Sequence, residues 1–256
     1  MKPQFILTPY FLDQPSPQLE ALAQPGWIIN RPPLPGADVQ SRLSVYHAAL
    51  AEHVTAAIAD KRLPVSIAGD CCATIGVLAG LQRAGLAPQL LWFDAHGDFN
   101  TWETTPSGFL GGMPLAMLAG LGEQTMMQAV GAEPLAQERI ILSDGRDLDP
   151  EEAKLLAGCD VVHLRHPGQL LDFDLGTRPL YVHFDTDVLN PLEAPAMRYA
   201  AAGGPSADEL ARIFRRLAQT GQIAAVSMTT WTPELDTDGR SQETCLRLLP
   251  ELWGAA

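Results

Sequence analysis

The run Leu90-Leu91-Trp92-Phe93 leads directly into Asp94-Ala95-His96-Gly97-Asp98, and this junction constrains the architecture more than any other stretch. Four successive apolar residues describe a strand covered on both faces, because a strand with one wet face alternates apolar with polar side chains. In a parallel sheet the carboxyl ends of the strands open onto the crevice where ligands bind, so Asp94, His96 and Asp98 stand at a natural site of chemistry. Spacing of two along an extended chain lets all three converge on one point.

A second stretch repeats the pattern. Leu180–Phe184 is a short apolar run containing His183, and it ends in Asp185-Thr186-Asp187. Two strand ends carrying four carboxylates would repel each other in a low-dielectric crevice unless cations neutralised them. Solvated loop acids at helix caps are the plainer explanation, but that coincidence would have to occur twice. A metal centre is the economical one.

Between and around these stretches, strand and helix signals alternate. Strands are expected at Phe5–Thr8, Trp27–Asn30, Pro64–Ala68, Arg139–Ser143, Val161–Leu164 and Ile223–Thr229. Helices are expected from Asp38 to about Arg62, over Ala73–Ala84, from about Met113 to Leu121, over Glu151–Ala157 and Ser206–Gln219, and over Gln242–Leu249. Pro64–Ala68 breaks at Gly69-Asp70-Cys71-Cys72, a third strand end with a potential ligand at its tip. The segments 101–112 and 191–204 have the composition of pocket walls. The pattern predicts one α/β domain over residues 1–256, a three-layer α/β/α arrangement around a largely parallel, doubly wound sheet.

Composition narrows the partners. With 17 basic and 30 acidic residues the chain carries a formal net charge of -13, which argues against nucleic acid and against an anionic membrane. No run has the length of a transmembrane helix, and Met1-Lys2-Pro3-Gln4 lacks the apolar core of a signal peptide, so a cytoplasmic location is expected. Cys71, Cys72, Cys159 and Cys245 form no CxxC pair; Cys159 and Cys245 read as core thiols. His47, His53, His163 and His166 are lone histidines, of the kind that usually sit on the surface or satisfied in a core. His183 shares a strand face with Asp185 and Asp187, and reads either as a partner or extra ligand of the metal site or as a buried histidine bonded to a carbonyl.

From Pro64 onward, Gly69-Asp70-Cys71, Asp94-Ala95-His96-Gly97-Asp98 and Asp185-Thr186-Asp187 with Asn190-Pro191 resemble, in order and spacing, the ureohydrolases: arginase, agmatinase and formiminoglutamase. The resemblance implies a homo-oligomer, usually a trimer or hexamer, two divalent metal ions, normally Mn2+, and a small-molecule guanidino substrate. It implies one metal held by Cys71, Asp94, Asp98 and Asp185 and the other by His96, Asp94, Asp185 and Asp187. Asp98 would also act as the catalytic group that orients the nucleophile and passes its proton to the leaving amine.

Three departures bear on specificity. Cys71 stands where the family has histidine, and a thiolate site suits zinc, iron or cobalt better than manganese. In Ser107-Gly108-Phe109-Leu110-Gly111-Gly112, Gly111 replaces the family's proton-shuttling pocket histidine. Thr230 replaces the glutamate that cradles the guanidinium. Residues matching the grip on the amino-acid end are retained: Asn100, Thr105 and Ser107 for the α-carboxylate, Asp149 and Glu152 for the α-amino group. Taken together they predict an amidinohydrolase for a less basic arginine analogue, Nω-hydroxy-L-arginine, with ornithine and hydroxyurea as products. The alternatives are an ordinary arginase, agmatinase or other guanidino-acid hydrolase that replaces the missing groups with Glu234, Arg198 or Tyr199, and a catalytically silent subunit that binds metal or ligand.

Overall fold

A computed structural model describes residues 1–254 of the chain. Eight strands form its central sheet: β1 (Pro3–Thr8), β2 (Ile28–Ile29), β3 (Leu63–Ala68), β4 (Gln89–Asp94), β5 (Ile140–Asp144), β6 (Val162–Leu164), β7 (Leu180–Asp185) and β8 (Ile223–Thr229). They lie in the order β2-β1-β3-β8-β7-β4-β5-β6. Every neighbouring pair is parallel.

The order explains where function can sit. On leaving β3 the chain passes over two strand positions to β4, and β7 and β8 later fill the gap. The carboxyl ends of β3, β8, β7 and β4 therefore lie side by side in the middle of the sheet, the place where doubly wound sheets open a crevice. The three sequence stretches singled out above leave three of these four strands.

Among the described residues, the five helices of eight residues or more are α1 (Val39–Ala59), α2 (Thr74–Arg83), α3 (Pro150–Ala157), α4 (Ala207–Ala218) and α5 (Arg240–Leu248). Leu90 and Trp92 face one apolar layer with α1 and α2, whereas Leu91 and Phe93 face the other with α4 and α5. The continuous apolar run of β4 is thus explained by helices on both sides. Phe214 of α4 meets Phe93 of β4 and Phe184 of β7 edge-on, at 5.3 and 5.4 Å between ring centroids. Each such pair adds about 0.5–1.5 kcal/mol beyond its buried area, and here both brace strands that carry ligands.

Local signals hold at most ends. Asp38 caps α1 by accepting from the Ser41 amide, Ser206 caps α4 by accepting from Glu209, and Pro150 opens α3. Other bounds need correction. The expected strand Trp27–Asn30 shortens to Ile28–Ile29, because β2 is an edge strand with one neighbour. The expected helix Met113–Leu121 shortens to Pro114–Leu118, ending ahead of Gly120, which has φ +79°. His47 is fully buried but not satisfied: neither ring nitrogen has a hydrogen-bond partner, and burial lowers its pKa to about 3, so it is neutral beside Tyr46. Among the described residues no helix is long and apolar enough to cross a membrane.

Candidate metal centre

Asp94 is the last residue of β4 and Asp185 the last of β7. The chain then leaves each strand in a tight turn that the carboxylates themselves organise. Asp94 accepts from the His96 amide at 2.7 Å, and Asp185 from the Asp187 amide at 2.8 Å. Asp187 accepts from the Ala95 amide at 3.1 Å, which ties the two turns together. Cys71 enters from the turn after β3, where Asp70 caps the short Cys71–Ala73 helix.

These elements bring the predicted ligands together in two groups that share Asp94. One comprises Cys71, Asp94, His183 and Asp185, the other Asp94, His96 and Asp187, and within each group the ligand atoms lie within 4.8 Å of one another. Asp98 belongs to neither group. It lines the same cavity, with its backbone in the left-handed region at φ +47° and its carbonyl accepting from Leu115 and Ala116. His183 is the addition. Its Nδ1 meets the Ser227 hydroxyl at 2.8 Å rather than a carbonyl, and its Nε2 is buried with no partner.

The electrostatics favour cations. Burial and repulsion from neighbouring acids push Asp94 up to about 7 and hold Asp98 and Asp185 well above the ordinary carboxylate range. Burial likewise raises the Cys71 thiol, with Asp185 adding to it; the sulfur stands 3.0 Å from an Asp185 oxygen. Burial opposes charge on His96, yet hydrogen bonds to Asp187 and Asp94 outweigh it and push it up to about 12. Burial would raise Asp187 too, but the His96 partner at 3.0 Å keeps it low. Burial lowers His183 to about 3, the neutral form that a metal ligand requires. Acids crowded this closely, with an unpartnered imidazole nitrogen among them, fit divalent cations.

The cavity over this centre measures about 360 Å³. Asn100, Thr105, Ser107, Asp149, Glu152 and Thr230 all line it, as expected, together with Arg198 and Tyr199. Their free valences differ. Asn100 donates to Asp149 at 3.0 Å, and Thr105 and Ser107 receive the amides of Gly108 and Phe109. Glu152 is committed to the fold: its two oxygens accept from the amides of Phe99 and Asp149, at 2.8 and 3.0 Å. A Cβ at Gly97 would fall 2.5 Å from Glu152 Oε1, which explains the glycine inside the Asp-x-His-x-Asp motif.

The two lost pocket groups have structural counterparts. A Cβ at Gly111 would lie 2.4 Å from the Phe109 ring, so an aromatic wall packs against the position of the missing histidine. Thr230, held at φ +69°, turns its hydroxyl onto Asp185. Glu234 is exposed in a separate turn and does not reach the cavity, so it supplies no replacement anion.

One organising residue escapes sequence reasoning. Arg146 pairs with Asp144 and donates to the carbonyls of Asp187, Val188, Ala201 and Ala202, clamping the second ligand turn to the pocket wall. Its only sequence signal is its place in Asp144-Gly145-Arg146, immediately after a strand.

A parallel sheet that gathers buried acids, a thiol and imidazoles at adjacent strand ends defines a metal-dependent hydrolase of the α/β class. The arginase family profile matches residues 30–254. The arginase of Bacillus subtilis is 30% identical over 217 residues, covering 80% of this chain and 73% of that protein. A crystal structure of Bacillus subtilis arginase superimposes with a TM-score of 0.85 at 25% identity, covering 100% of this chain and 99% of the other. At 16% identity and a TM-score of 0.66, the agmatine ureohydrolase of Thermoplasma volcanium, aligned over 98% of this chain and 89% of its own, shares the fold. The chain belongs to the arginase family, whose members are binuclear metal-dependent amidinohydrolases acting on C–N bonds.

Proposed function

We propose that the chain hydrolyses the guanidino C–N bond of an arginine-like amino acid, and that its substrate is Nω-hydroxy-L-arginine. The observation that carries the reading is the wall of the cavity. Where a guanidinium cation would need a carboxylate, the chain offers the Thr230 hydroxyl, already donated to Asp185, and the Phe109 ring. N-hydroxylation lowers the basicity of a guanidine through the electron-withdrawing oxygen and makes its carbon more electrophilic, so a counter-anion matters less.

In this reading Cys71, Asp94, His96, Asp185 and Asp187 hold two divalent cations, with manganese the expected metal of at least one. Bound cations supply Lewis acidity and lower the pKa of water towards neutrality. Asp98, outside both groups, lines the cavity beside the ligand acids, and with cations bound next to it the side chain would be the carboxylate, able to accept a proton. It orients the attacking water, takes its proton and delivers it to the departing nitrogen. Water oxygen bonds to the guanidino carbon, the bond from that carbon to the ornithine nitrogen breaks, and ornithine and hydroxyurea leave. Thr105, Ser107 and Asn100 receive the α-carboxylate and Asp149 the α-amino group. Glu152 supports this end by holding the amides of Phe99 and Asp149 in place.

The test is a panel of arginine, Nω-hydroxy-L-arginine and agmatine with metal-loaded protein, measuring urea or hydroxyurea release. The N-hydroxy compound should be preferred over arginine by at least ~10-fold in kcat/KM, the scale a few differential contacts provide. Turnover of arginine as good or better would overturn the assignment. Arginine itself is the second reading, favoured by the names of the relatives, and the same panel decides it.

A further inference from the structure

Beyond the ligands that the family resemblance implies lies a fully buried imidazole with a free nitrogen. His183 stands on β7 two residues before Asp185, one pleat deeper in the sheet on the same face. Trp92 covers its ring at 3.9 Å between centroids, so the side chain has little freedom to turn. Nδ1 meets Ser227 Oγ on the adjacent strand β8 at 2.8 Å, and the same oxygen meets the Tyr181 hydroxyl at 2.9 Å. The opposite nitrogen, Nε2, has no hydrogen-bond partner. The ring belongs to the group whose ligand atoms, with those of Cys71, Asp94 and Asp185, fall within 4.8 Å.

An orphaned imidazole nitrogen is costly to bury, and here the ring shares its site with the ligand atoms of Cys71, Asp94 and Asp185. The far nitrogen already has the oriented polar partner that metal-bound histidines ordinarily have. With Nδ1–H donated to Ser227, Nε2 keeps its lone pair. We propose that His183, through Nε2, is a direct ligand of the first cation, and that Cys71, His183, Asp94 and Asp185 form a four-donor site that takes zinc in preference to manganese.

The chemistry of the set supports the metal choice. One thiolate, one imidazole and two carboxylates match the donors zinc takes in four-coordinate sites, whereas manganese prefers oxygen and nitrogen. A neutral imidazole in place of Asp98 also leaves the site one negative charge less anionic. Asp98 is thereby released from ligation and free to handle protons, which agrees with its place outside both groups. The second group offers three donors, so a cation held by Asp94, His96 and Asp187 would have a position left for water or substrate.

This inference rests on the reading of the centre as binuclear, but its test is independent of turnover. Crystals of the full chain equilibrated with equal concentrations of zinc and manganese, measured on both sides of the zinc absorption edge, should show a zinc peak about 2.0–2.1 Å from His183 Nε2 and about 2.3 Å from Cys71 Sγ. A zinc peak bonded to Cys71 with Nε2 beyond ~3 Å, manganese in that position, or no metal beside Cys71 would each overturn it. In solution, His183→Gln should weaken zinc binding at least ~10-fold in competition with a chromogenic chelator, against an unchanged circular dichroism spectrum. Unchanged affinity in the folded variant overturns the proposal. Should the variant not fold, the map of the unaltered protein decides. Cobalt titrated into metal-free protein should develop a thiolate charge-transfer band that Cys71→Ser abolishes. Hydroxyurea release plays no part in any of these readouts, so failure of the substrate assignment and failure of the ligand assignment are told apart.

Discussion

Two side chains carry the proposed chemistry of the pocket, Thr230 and Asp98, and each is placed by a backbone at positive φ. Thr230 is a β-branched residue at positive φ, a conformation that costs of order 1–3 kcal/mol and persists only where its surroundings enforce it. Its hydroxyl is thereby aimed at Asp185. Replacing it by glutamate returns an anion to the cavity: Thr230→Glu should shift the kcat/KM ratio of arginine to its N-hydroxy derivative towards arginine by at least ~10-fold. An unchanged ratio would show that this position does not read the guanidino group. Asp98 is the group assigned to proton transfer. Asp98→Asn keeps the shape and removes the proton carrier, so kcat should fall by about 10²–10⁴-fold, with bound metal unchanged by elemental analysis. Loss of a metal equivalent would instead make Asp98 a ligand, as the family resemblance implies. The motif Asp94-x-His96-x-Asp98 was legible as a ligand cluster because spacing alone brings the residues near one point. That Asp98, unlike Asp94, stands outside both groups was not legible, since it depends on the left-handed backbone of Asp98.

Strands β4 and β7 are more than carriers of ligands. Trp92 of β4 is fully buried and donates its indole N–H to Asp94 at 2.8 Å, so the strand orients the carboxylate shared by both groups. Trp92→Phe removes that donor while keeping an aromatic ring. Metal affinity should drop by ~10-fold or more, measured by chelator competition. Stability should fall by only about 1–3 kcal/mol in urea unfolding, the cost of a lost buried hydrogen bond and lost volume. Arg146 performs a comparable task between elements, joining the turn after β5 to the Asp187 turn and the wall at Ala201 and Ala202. Arg146→Ala leaves the buried Asp144 unpaired, and a loss of about 3 kcal/mol in denaturant unfolding is expected. The eight strands themselves were readable from apolar runs and turn residues, and Ile28–Ile29 came out shorter because an edge strand is limited by its neighbour rather than by its own sequence. Arg146 went unnoticed because a lone arginine in a loop has no local signature; its partners are distant in sequence.

For the molecule as a whole, crowding of acids at one end of the sheet predicts a distinctive stability profile. Asp94 titrates at about 7 in the fold, and Asp98 and Asp185 well above the carboxylate range, against about 3.9 for an unfolded aspartate. A raised acid binds more protons folded than unfolded, so stability declines as pH rises between the two values. His96, raised to about 12, also contributes stability that is present below its unfolded value and is lost as pH rises towards 12. Asp187 runs the other way, weakening the fold as pH falls below the carboxylate range, and so do the buried His47 and His183, each lowered to about 3, which weaken it as pH falls below their unfolded value of about 6.5. Four raised aspartates, Asp70, Asp94, Asp98 and Asp185, outnumber these two histidines, so metal-free protein should lose stability from about pH 4 to pH 7 in denaturant unfolding, and saturating divalent cation should flatten that slope by binding the ionised acids. A metal-free protein equally stable across that range would contradict the electrostatic account of the centre. Oligomeric assembly, expected from the family, is checked by light scattering on the metal-loaded chain.

Taken alone, the sequence determined the three-layer parallel architecture and the strand ends at which Cys71, Asp94, His96, Asp185 and Asp187 gather, because each is written in a local pattern of apolar runs ended by spaced donors. The tertiary structure decided that β7 and β8 lie between β3 and β4. That arrangement sets His183, bonded to Ser227, beside Cys71, and brings the Thr230 hydroxyl onto Asp185. The contacts of His183 with Ser227 and of Thr230 with Asp185 join residues more than forty apart in the chain. They arise only when the sheet is wound into its order, and no periodicity along the sequence encodes them.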